Sequence, residues 1–463
     1  MMTPGPDHRQ VQNASQKAEK DQEYTSSSEP ELSSSSGPDG LEASSSSGPS
    51  DSDSALPRSI DILARLAPLY LTCFLGRLTR ALAVVSIPLY VLDLGGSAAD
   101  VGILASLYGL GFMLANIPGG ILLPLVGSKC CILLSCTCYA LSAGICFLPH
   151  IAVLMASQFF LGLANSLSVL SQQTYIGSHT PTVRRGFALS MMGGLQRWGL
   201  MVGPSLGAFL QESVLGIHAV FFAQVACAGL AALVTVSCLS RAEEEATGKK
   251  SDKTSGILDA KDAIKENGGR LVRVLGLAFA VQCVRKGREL FFSLSGRESG
   301  ISDMFIGQIT ALSFGIDALT SPLAGYLMDS YGRRIAGVAS LSLHSLGLSI
   351  LALHSVAAVV ASAVLTGLGN GLGSGLLMTL GSDLAPAGPG RGAFLAVYRL
   401  LFNSMDFITP GVLGALTSFS SLQAAELTTG AVGLLGILWV LLCVPETLKK
   451  QEAAPQSKET QAV

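Results

Sequence analysis

Apolar runs of about 20 residues recur from Leu66 onward, and they restrict the fold more than any other feature of this chain. A helix that rises about 1.5 Å per residue needs about 20 apolar residues to cross a hydrocarbon core about 30 Å thick. Since 49% of all residues are hydrophobic, the sequence predicts an all-α membrane protein with about twelve transmembrane helices. The approximate ranges are 67–91, 99–122, 130–149, 151–173, 186–209, 217–239, 270–294, 304–327, 335–354, 356–379, 392–416 and 425–444.

Lys and Arg residues cluster after the even-numbered runs and in the tails, whereas the other loops contain only Arg297. Loops that face the cytoplasm carry an excess of Lys and Arg. The pattern therefore predicts a multi-pass protein with both termini in the cytoplasm. The residues of this pattern are Lys129, Arg184, Arg185, Lys249, Lys250, Lys253, Lys261, Lys265, Arg333, Arg334, Arg391, Lys449 and Lys450.

The chain divides into five parts by composition. Residues 1–60 contain serine runs, acids and prolines with little apolar surface, which predicts a disordered cytoplasmic tail. Two six-helix bundles are expected at 61–240 and 270–446. A cytoplasmic loop at 241–269 joins them, and a second cytoplasmic tail covers 447–463.

The two predicted bundles are copies of one unit. Six residues of the first bundle recur with the same type 205 positions later. Parallel repeats of this kind are typical of transporters whose halves rock about a site near the middle of the membrane. The pairs are Gly102 with Gly307, Gly120 with Gly325, Leu122 with Leu327, Gly127 with Gly332, Gly162 with Gly367, and Asn165 with Asn370.

A loop in each copy carries a glycine-rich motif. The second copy reads GYLMDSYGRR, with Gly325, Asp329, Gly332, Arg333 and Arg334, and it resembles the cytoplasmic loop signature of the major facilitator superfamily. That resemblance implies the twelve-helix fold and a charge latch formed by the acid.

The first copy reads GILLPLVGSK and keeps Gly120 and Gly127, but Pro124 replaces the acid and Ser128 replaces the first arginine. We therefore expect the latch to be weak or to depend on Asp329 alone. The alternative is that both loops are tight turns whose charges only fix the topology.

The fifth run contains Gly199, Gly203, Pro204 and Gly207 in a pattern that resembles the antiporter signature of drug:proton antiporters. The match is incomplete because Ser190 stands where that signature has a further glycine. The resemblance implies proton-coupled efflux. The alternative is close helix packing at the glycines with a bend at Pro204.

Several ionisable residues lie inside the runs, where each costs at least about 2.5–3.5 kcal/mol and should face the bundle interior. Guanidinium groups suit carboxylate or phosphate ligands, and a buried carboxyl can exchange a proton. Alternatively, Arg285 pairs with Glu289, Arg197 or Arg399 pairs with Asp317 or Asp406, and the asparagines bond between helices. The candidates for substrate binding are Arg77, Arg80, Arg197, Arg285, Arg288, Arg399, Asn165 and Asn370, and those for proton coupling are Asp317, Asp406 and Glu289.

The sequence contains no nucleophile elbow, metal-ligand cluster or nucleotide-binding loop, so we expect no enzyme activity, cofactor, metal or nucleic acid partner. The leading prediction is a secondary transporter, working as a monomer in the bilayer, that exports small organic molecules by alternating access in exchange for protons. An organic-anion or phosphate-ester transporter is the second prediction. A membrane receptor or scaffold that does not transport is the third.

Overall fold

The computed structural model describes residues 59–239, 253–385, 391–444 and 446, and the regular elements within these ranges are all helices. The predicted tails at 1–58 and 447–463 lie outside them. Besides a short 3₁₀ turn at Thr182–Arg184, the structure has these helices: α1 Ser59–Asp93, α2 Ala98–Ile145, α3 Ile151–His179, α4 Arg185–Gln211, α5 Ile217–Cys238, α6 Lys253–Glu298, α7 Asp303–Ser330, α8 Arg333–Leu351, α9 Val356–Leu372, α10 Leu376–Leu384, α11 Arg391–Phe419 and α12 Leu422–Cys443.

The predicted fold class is confirmed, because eight helical segments are long and apolar enough to cross a membrane. One of them, α2, contains two of the predicted runs and changes direction at Gly127, whose φ is 82°. Only glycine adopts that backbone conformation readily. The count of twelve separate spans remains a prediction.

Two helix boundaries differ from the sequence-based expectation. The run at 356–379 is interrupted where α9 ends and α10 begins after Gly375, whose φ is 77°. Glycine-rich sequence supplies little side-chain packing and permits this left-handed residue. Helix α6 begins at Lys253, inside the segment 241–269 that we expected to be a loop. Helix-favouring residues such as Ala260 and Lys261 account for that extension.

We call the bundle ends that carry Lys129, Arg185 and Arg333 the basic face, and the other ends the opposite face. The first half comprises α1 to α5 and the second half comprises α6 to α12. Helix α2 packs against α11 and helix α4 against α7, so these two pairs join the halves. At the first pair, a Cβ atom on Gly102 would lie 2.7 Å from the Cα atom of Gly414, which only a glycine pair tolerates.

The halves touch near the opposite face and separate toward the basic face along α4. Near the opposite face, a Cβ on Gly307 would lie 2.6 Å from the carbonyl oxygen of Pro204. Toward the basic face, a Cβ on Gly193, Gly194 or Gly186 would have no described atom of a neighbouring element within 4 Å. The space between the halves therefore widens toward the basic face.

Candidate functional site

A cavity of about 70 Å³ lies between the halves, lined by α1, α2, α3, α6 and Pro410 of α11. Its walls combine aliphatic side chains such as Val84, Leu104 and Leu161 with a small set of polar ones. The polar lining residues are Arg80, Tyr108, Gln158, Lys286 and Glu289. A largely apolar pocket with a few polar groups in fixed positions is the usual form of a small-molecule site.

An ion-pair network crosses this cavity from one half to the other. Arg80 of the first half places Nη2 at 3.4 Å from Oε2 of Glu289 in the second half. Lys286 Nζ lies 3.6 Å from the same oxygen and 3.0 Å from Oδ1 of Asp406. Gln282 Nε2 donates a hydrogen bond of 2.8 Å to that Asp406 oxygen. Two cations and two carboxylates thus neutralise one another at the centre of the molecule.

Aromatic contact fixes the orientation of Arg80. Its guanidinium carbon lies 4.6 Å from the ring centroid of Tyr108, within the range of a cation–π interaction. The Tyr108 hydroxyl in turn accepts a hydrogen bond of 2.8 Å from Nδ2 of Asn165. Asn165 therefore positions the ring that faces Arg80, and it bonds between helices, as the second interpretation of the sequence expected.

A second ion pair joins the halves between α4 and α7. Arg197 Nη1 lies 2.7 Å from Oδ1 of Asp317, and Arg197 Nη2 also donates to Ser374 Oγ in the link between α9 and α10. Asn370 Nδ2 donates to the other Asp317 oxygen at 2.8 Å. The alternative in which Arg197 pairs with Asp317 is therefore present in the structure, and Asn370 bonds between helices like Asn165.

Three arginines make polar contacts without a carboxylate. Arg77 Nη2 donates to Gln196 Oε1 at 3.1 Å, and Arg285 Nη2 donates to the carbonyl oxygen of Gly373 at 2.9 Å. Arg288 is buried against the ring of Phe314, with its guanidinium carbon 4.8 Å from the centroid. Among the described residues no Asp or Glu oxygen lies within 4.0 Å of these three guanidinium groups, so the interior keeps an excess of positive charge.

Two expectations about arginine contacts differ from the structure. Glu289 contacts Arg80 and Lys286, whereas the sequence suggested Arg285 as its partner. Arg285 instead turns toward the helix break at Gly373, whose carbonyl oxygen accepts from Arg285 and from the backbone N–H of Leu376. Arg399 has an exposed side chain on α11, where we expected it to face the interior.

The two signature loops are each fixed to the last helix of their own half. In the second half, Arg334 Nη2 donates to the carbonyl oxygen of Leu441 in α12, and Arg333 and Arg334 donate their backbone N–H groups to the carboxylate of Glu446, just beyond α12, at 3.0 and 3.1 Å. In the first half, Lys129 Nζ donates to the carbonyl oxygens of Val236 and Leu239 at 3.1 and 2.5 Å. These contacts hold each loop at the basic face.

Asp329 lies at the surface with 76% of its side chain exposed, and its Oδ1 is 3.6 Å from Nη1 of Arg333. The same arginine also places Nε 3.2 Å from Oδ2 of Asp383. Gly332, whose φ is 106°, allows the chain to turn between Asp329 and Arg333. The remaining motif glycines, Gly120 and Gly325, have open space where a Cβ would stand.

The glycines of the predicted helix-bend motif form the contact between α4 and α1. A Cβ on Gly199 would lie 2.9 Å from the carbonyl oxygen of Phe74. At Gly203 and Gly207 a Cβ would overlap α1 more severely. Pro204 lies inside α4. The structure therefore shows the close packing that was the alternative interpretation of this motif.

Sequence reasoning missed four contributors to the site. Lys286 was visible as an interior cation, and its spacing of three residues from Glu289 already signals a pair on one helical face. Gln282 and Tyr108 are ordinary polar residues in long helices, and Ser374 lies in the link between α9 and α10, so nothing in their local sequence distinguishes them. They depend on the tertiary fold for their role.

A family model described as the Major Facilitator Superfamily matches residues 69–294 and again 275–462. Among curated proteins, the chain is similar to the "Multi-drug resistance efflux pump PmrA homolog" of Lactococcus lactis subsp. lactis (strain IL1403), with 24% identity over 82% of this chain and 95% of that protein. The "Quinolone resistance protein NorA" of Staphylococcus aureus is 26% identical over 145 residues, or 31% of this chain and 37% of NorA.

Solved structures with the same fold include a "D-xylose-proton symporter", with a TM-score of 0.68, 16% identity, and coverage of 83% of this chain and 98% of that one. The "nucleoside transporter NupG" gives a TM-score of 0.66 at 14% identity, covering 81% of this chain and 98% of its own. At these identities the likeness concerns the fold. Both matches extend across the two halves and the cavity between them.

Proposed function

This chain belongs to the major facilitator superfamily and is a secondary transporter, and from that premise we propose that it exports small amphipathic organic molecules in exchange for protons. The observation that carries the proposal is the central cavity, where aliphatic walls surround Arg80, Lys286 and Glu289. The similarity to two proteins named for drug resistance supports the same substrate class.

We propose Glu289 as the carboxylate that couples transport to protons, with Asp406 and Asp317 as secondary proton acceptors. Glu289 lines the cavity and contacts Arg80 of the other half. A proton on Glu289 removes its charge, and Arg80 then loses the partner that joins it to the second half. Binding of a proton and separation of the halves are thereby linked.

The remaining site residues have supporting parts in this proposal. Arg80 provides a two-pronged donor that an anionic group of the substrate can bind once Glu289 is neutral. Arg197 with Asp317, and Arg77, Arg285 and Arg288 with their polar contacts, hold the walls in place.

Transport of organic anions or phosphate esters is the second candidate function. The specific observation in its favour is the set of three interior arginines that contact no described carboxylate. An anionic substrate would offset that excess of positive charge. These three arginines lie outside the lining of the central cavity. A receptor or scaffold that does not transport gains no support from the family match.

Reconstituted protein in proteoliposomes tests the proposed function. We expect an imposed proton gradient to drive a lipophilic zwitterionic or cationic solute across the membrane, and Glu289→Gln to abolish the dependence on the gradient. Glu212→Gln, at an exposed carboxylate outside the cavity, serves as the matched control. Uptake of anionic solutes alone would favour the second function. Wild-type protein that moves no solute with or without a gradient would refute both.

We also propose that the basic face lies in the cytoplasm and that a single copy of the chain is functional. Loops with excess Lys and Arg stay on the cytoplasmic side. A glycosylation acceptor added near residue 95 should therefore be modified in a eukaryotic membrane, and one added in the segment 241–252 should not. The reverse pattern would contradict the topology.

A further inference from the structure

A second group of titratable side chains lies near the opposite face, outside the central cavity. Glu426, near the start of α12, is fully buried. Its Oε2 lies 3.0 Å from Nε2 of His354 in the link between α8 and α9, and Ser295 of α6 donates its hydroxyl to Oε1. Glu298, also on α6, places Oε2 at 3.6 Å from the other ring nitrogen of His354. The cluster thus joins three segments of the second half.

Exposure falls stepwise along this cluster. The side chain of Glu298 is 54% exposed, that of His354 is 10% exposed and that of Glu426 is 0% exposed. The imidazole therefore bridges a carboxylate in contact with solvent and a carboxylate that solvent does not reach. Histidine can accept a proton on one ring nitrogen and release one from the other, so this order forms a path for protons.

The backbone holds His354 in this bridging position at an energetic cost. His354 has a φ of 43°, the only positive φ of a non-glycine residue in the described chain. Residues other than glycine adopt the left-handed region only at an energetic cost. The contacts with Glu426 and Glu298 are the interactions that accompany this conformation.

Within the part of the chain that the structure describes, the ionisable groups that face Glu426 are His354 and Glu298. Helix α6 supplies Ser295 as well, which is a hydrogen-bond donor without charge at ordinary pH. The next residue with charge on α6, Arg297, contacts Asp93 and Asp303 instead. An ionised Glu426 therefore depends on His354 and Ser295 for its stabilisation.

We propose that Glu426 is a proton-binding site that is reached from the opposite face through Glu298 and His354. A proton from solvent binds the Glu298 carboxylate and moves to Nδ1 of His354, and His354 passes the proton on Nε2 to the Glu426 carboxylate. Glu426 becomes a neutral carboxylic acid, Glu298 is again ionised, and the neutral imidazole has exchanged one protonated nitrogen for the other. The net change is the uptake of one proton from solvent.

The location of this site gives proton uptake a structural consequence. Ser295 and Glu298 belong to the same two turns of α6 as Arg297, which pairs with Asp93 of the first half. A hydrogen bond to an ionised carboxylate is about twice as strong as one to a neutral group. Protonation of Glu426 therefore weakens its hydrogen bond with Ser295. That bond attaches α12 to the end of α6, which joins the halves at the opposite face.

Infrared difference spectroscopy of the purified full chain, between about pH 5 and about pH 8, tests the site directly, because a carboxylate that takes up a proton gains a carbonyl band. The wild type should show the carbonyl band of a buried protonated carboxyl, and Glu426→Gln should remove that band. Glu212→Gln, an exposed carboxylate that faces none of these groups, should leave it unchanged. Because a protonated Glu289 in the central cavity would contribute a carbonyl band of its own, the result that would overturn the proposal is a Glu426→Gln spectrum identical to that of the wild type.

Ser295→Ala provides a second test that keeps Glu426 in place. Loss of the hydroxyl donor should shift the frequency of the same band, and an unshifted band would count against the assignment to Glu426. The readout does not depend on export, so a wild type that transports nothing but shows the band would refute the proposed function and leave the proton site intact. A protein that transports but lacks the band would refute the proton site and leave the proposed function intact.

Discussion

The two halves contain corresponding helices but contribute different charges to the interior. In the helix interiors that the structure describes, the first half supplies the cations Arg77, Arg80 and Arg197 and no acid. The second half supplies the acids that those cations contact, Glu289 and Asp317. The ion pairs of Arg80 and Arg197 must therefore form between the halves. Any motion that separates the halves has to break these pairs or replace one partner.

The signature loops show a second difference between the halves. In the second half, Glu446 accepts hydrogen bonds from the backbone of Arg333 and Arg334, whereas in the first half Lys129 donates to the last carbonyls of α5. Both arrangements join the loop to the final helix of the same half. The acid of the family signature, Asp329, is exposed, so the loop does not depend on it for this attachment.

The largest effect should follow from Arg197→Ala. Asp317 is buried, and loss of its cation leaves an uncompensated charge, which costs about 3–5 kcal/mol. We expect a marked fall in the unfolding temperature of the purified protein. Adding Asp317→Asn should restore most of that fall, because the second change removes the unpaired charge. If the double variant is as unstable as Arg197→Ala alone, Arg197 does not act through Asp317.

Arg80→Ala should reduce transport by at least about tenfold, equivalent to about 1.4 kcal/mol, because the cavity loses its two-pronged donor and Glu289 loses a partner. Arg80→Lys keeps the charge without the geometry and should have an intermediate rate. Because Arg80→Ala leaves Glu289 without this partner, that variant should also be expressed at a lower level. The double variant Arg80→Ala with Glu289→Gln should recover expression but not transport. Recovered transport would show that Arg80 is structural.

The loop comparison predicts a smaller effect. Asp329→Asn should impair transport more than Pro124→Ala, because the first copy already lacks the acid. Since an exposed pair contributes about 0–1 kcal/mol, the unfolding temperature should change little in either variant. Transport rates measured side by side decide the matter. Equal rates in the two variants would show that the second loop acts only as a tight turn and that Asp329 has no role in transport.

Arg399→Ala should have the smallest effect of the interior arginine set. Its side chain is exposed on α11, and substitutions at exposed sites change stability by about 0.5 kcal/mol or less. Transport and unfolding temperature should both match the wild type within error. A loss comparable to that of Arg80→Ala would place Arg399 at the substrate site in another conformation of the transporter.

The sequence predicted the helical fold and the duplication because apolar length and glycine spacing are local or repeated signals. It also identified the interior charges, because an ionisable residue inside a transmembrane run is costly and therefore rare. It could not assign partners: the alternative interpretation paired Arg285 with Glu289, but Arg285 donates to the carbonyl oxygen of Gly373 at the helix break. Glu426 was overlooked because it lies at the end of an apolar run, where a charge usually contacts solvent, and only the tertiary fold buries it.

Alternating access requires the opposite face to open and close between α2 and α11. A Cβ built on Gly411 lies 3.8 Å from the Cβ of Ser106, which is the spacing of a disulfide. Transport by the Ser106→Cys, Gly411→Cys double variant, measured oxidised and then reduced, therefore tests that claim directly. Each single variant controls for the ten native cysteines. We predict that oxidation stops transport only in the double variant and that reduction restores it. Full transport by the cross-linked protein would contradict alternating access between these halves.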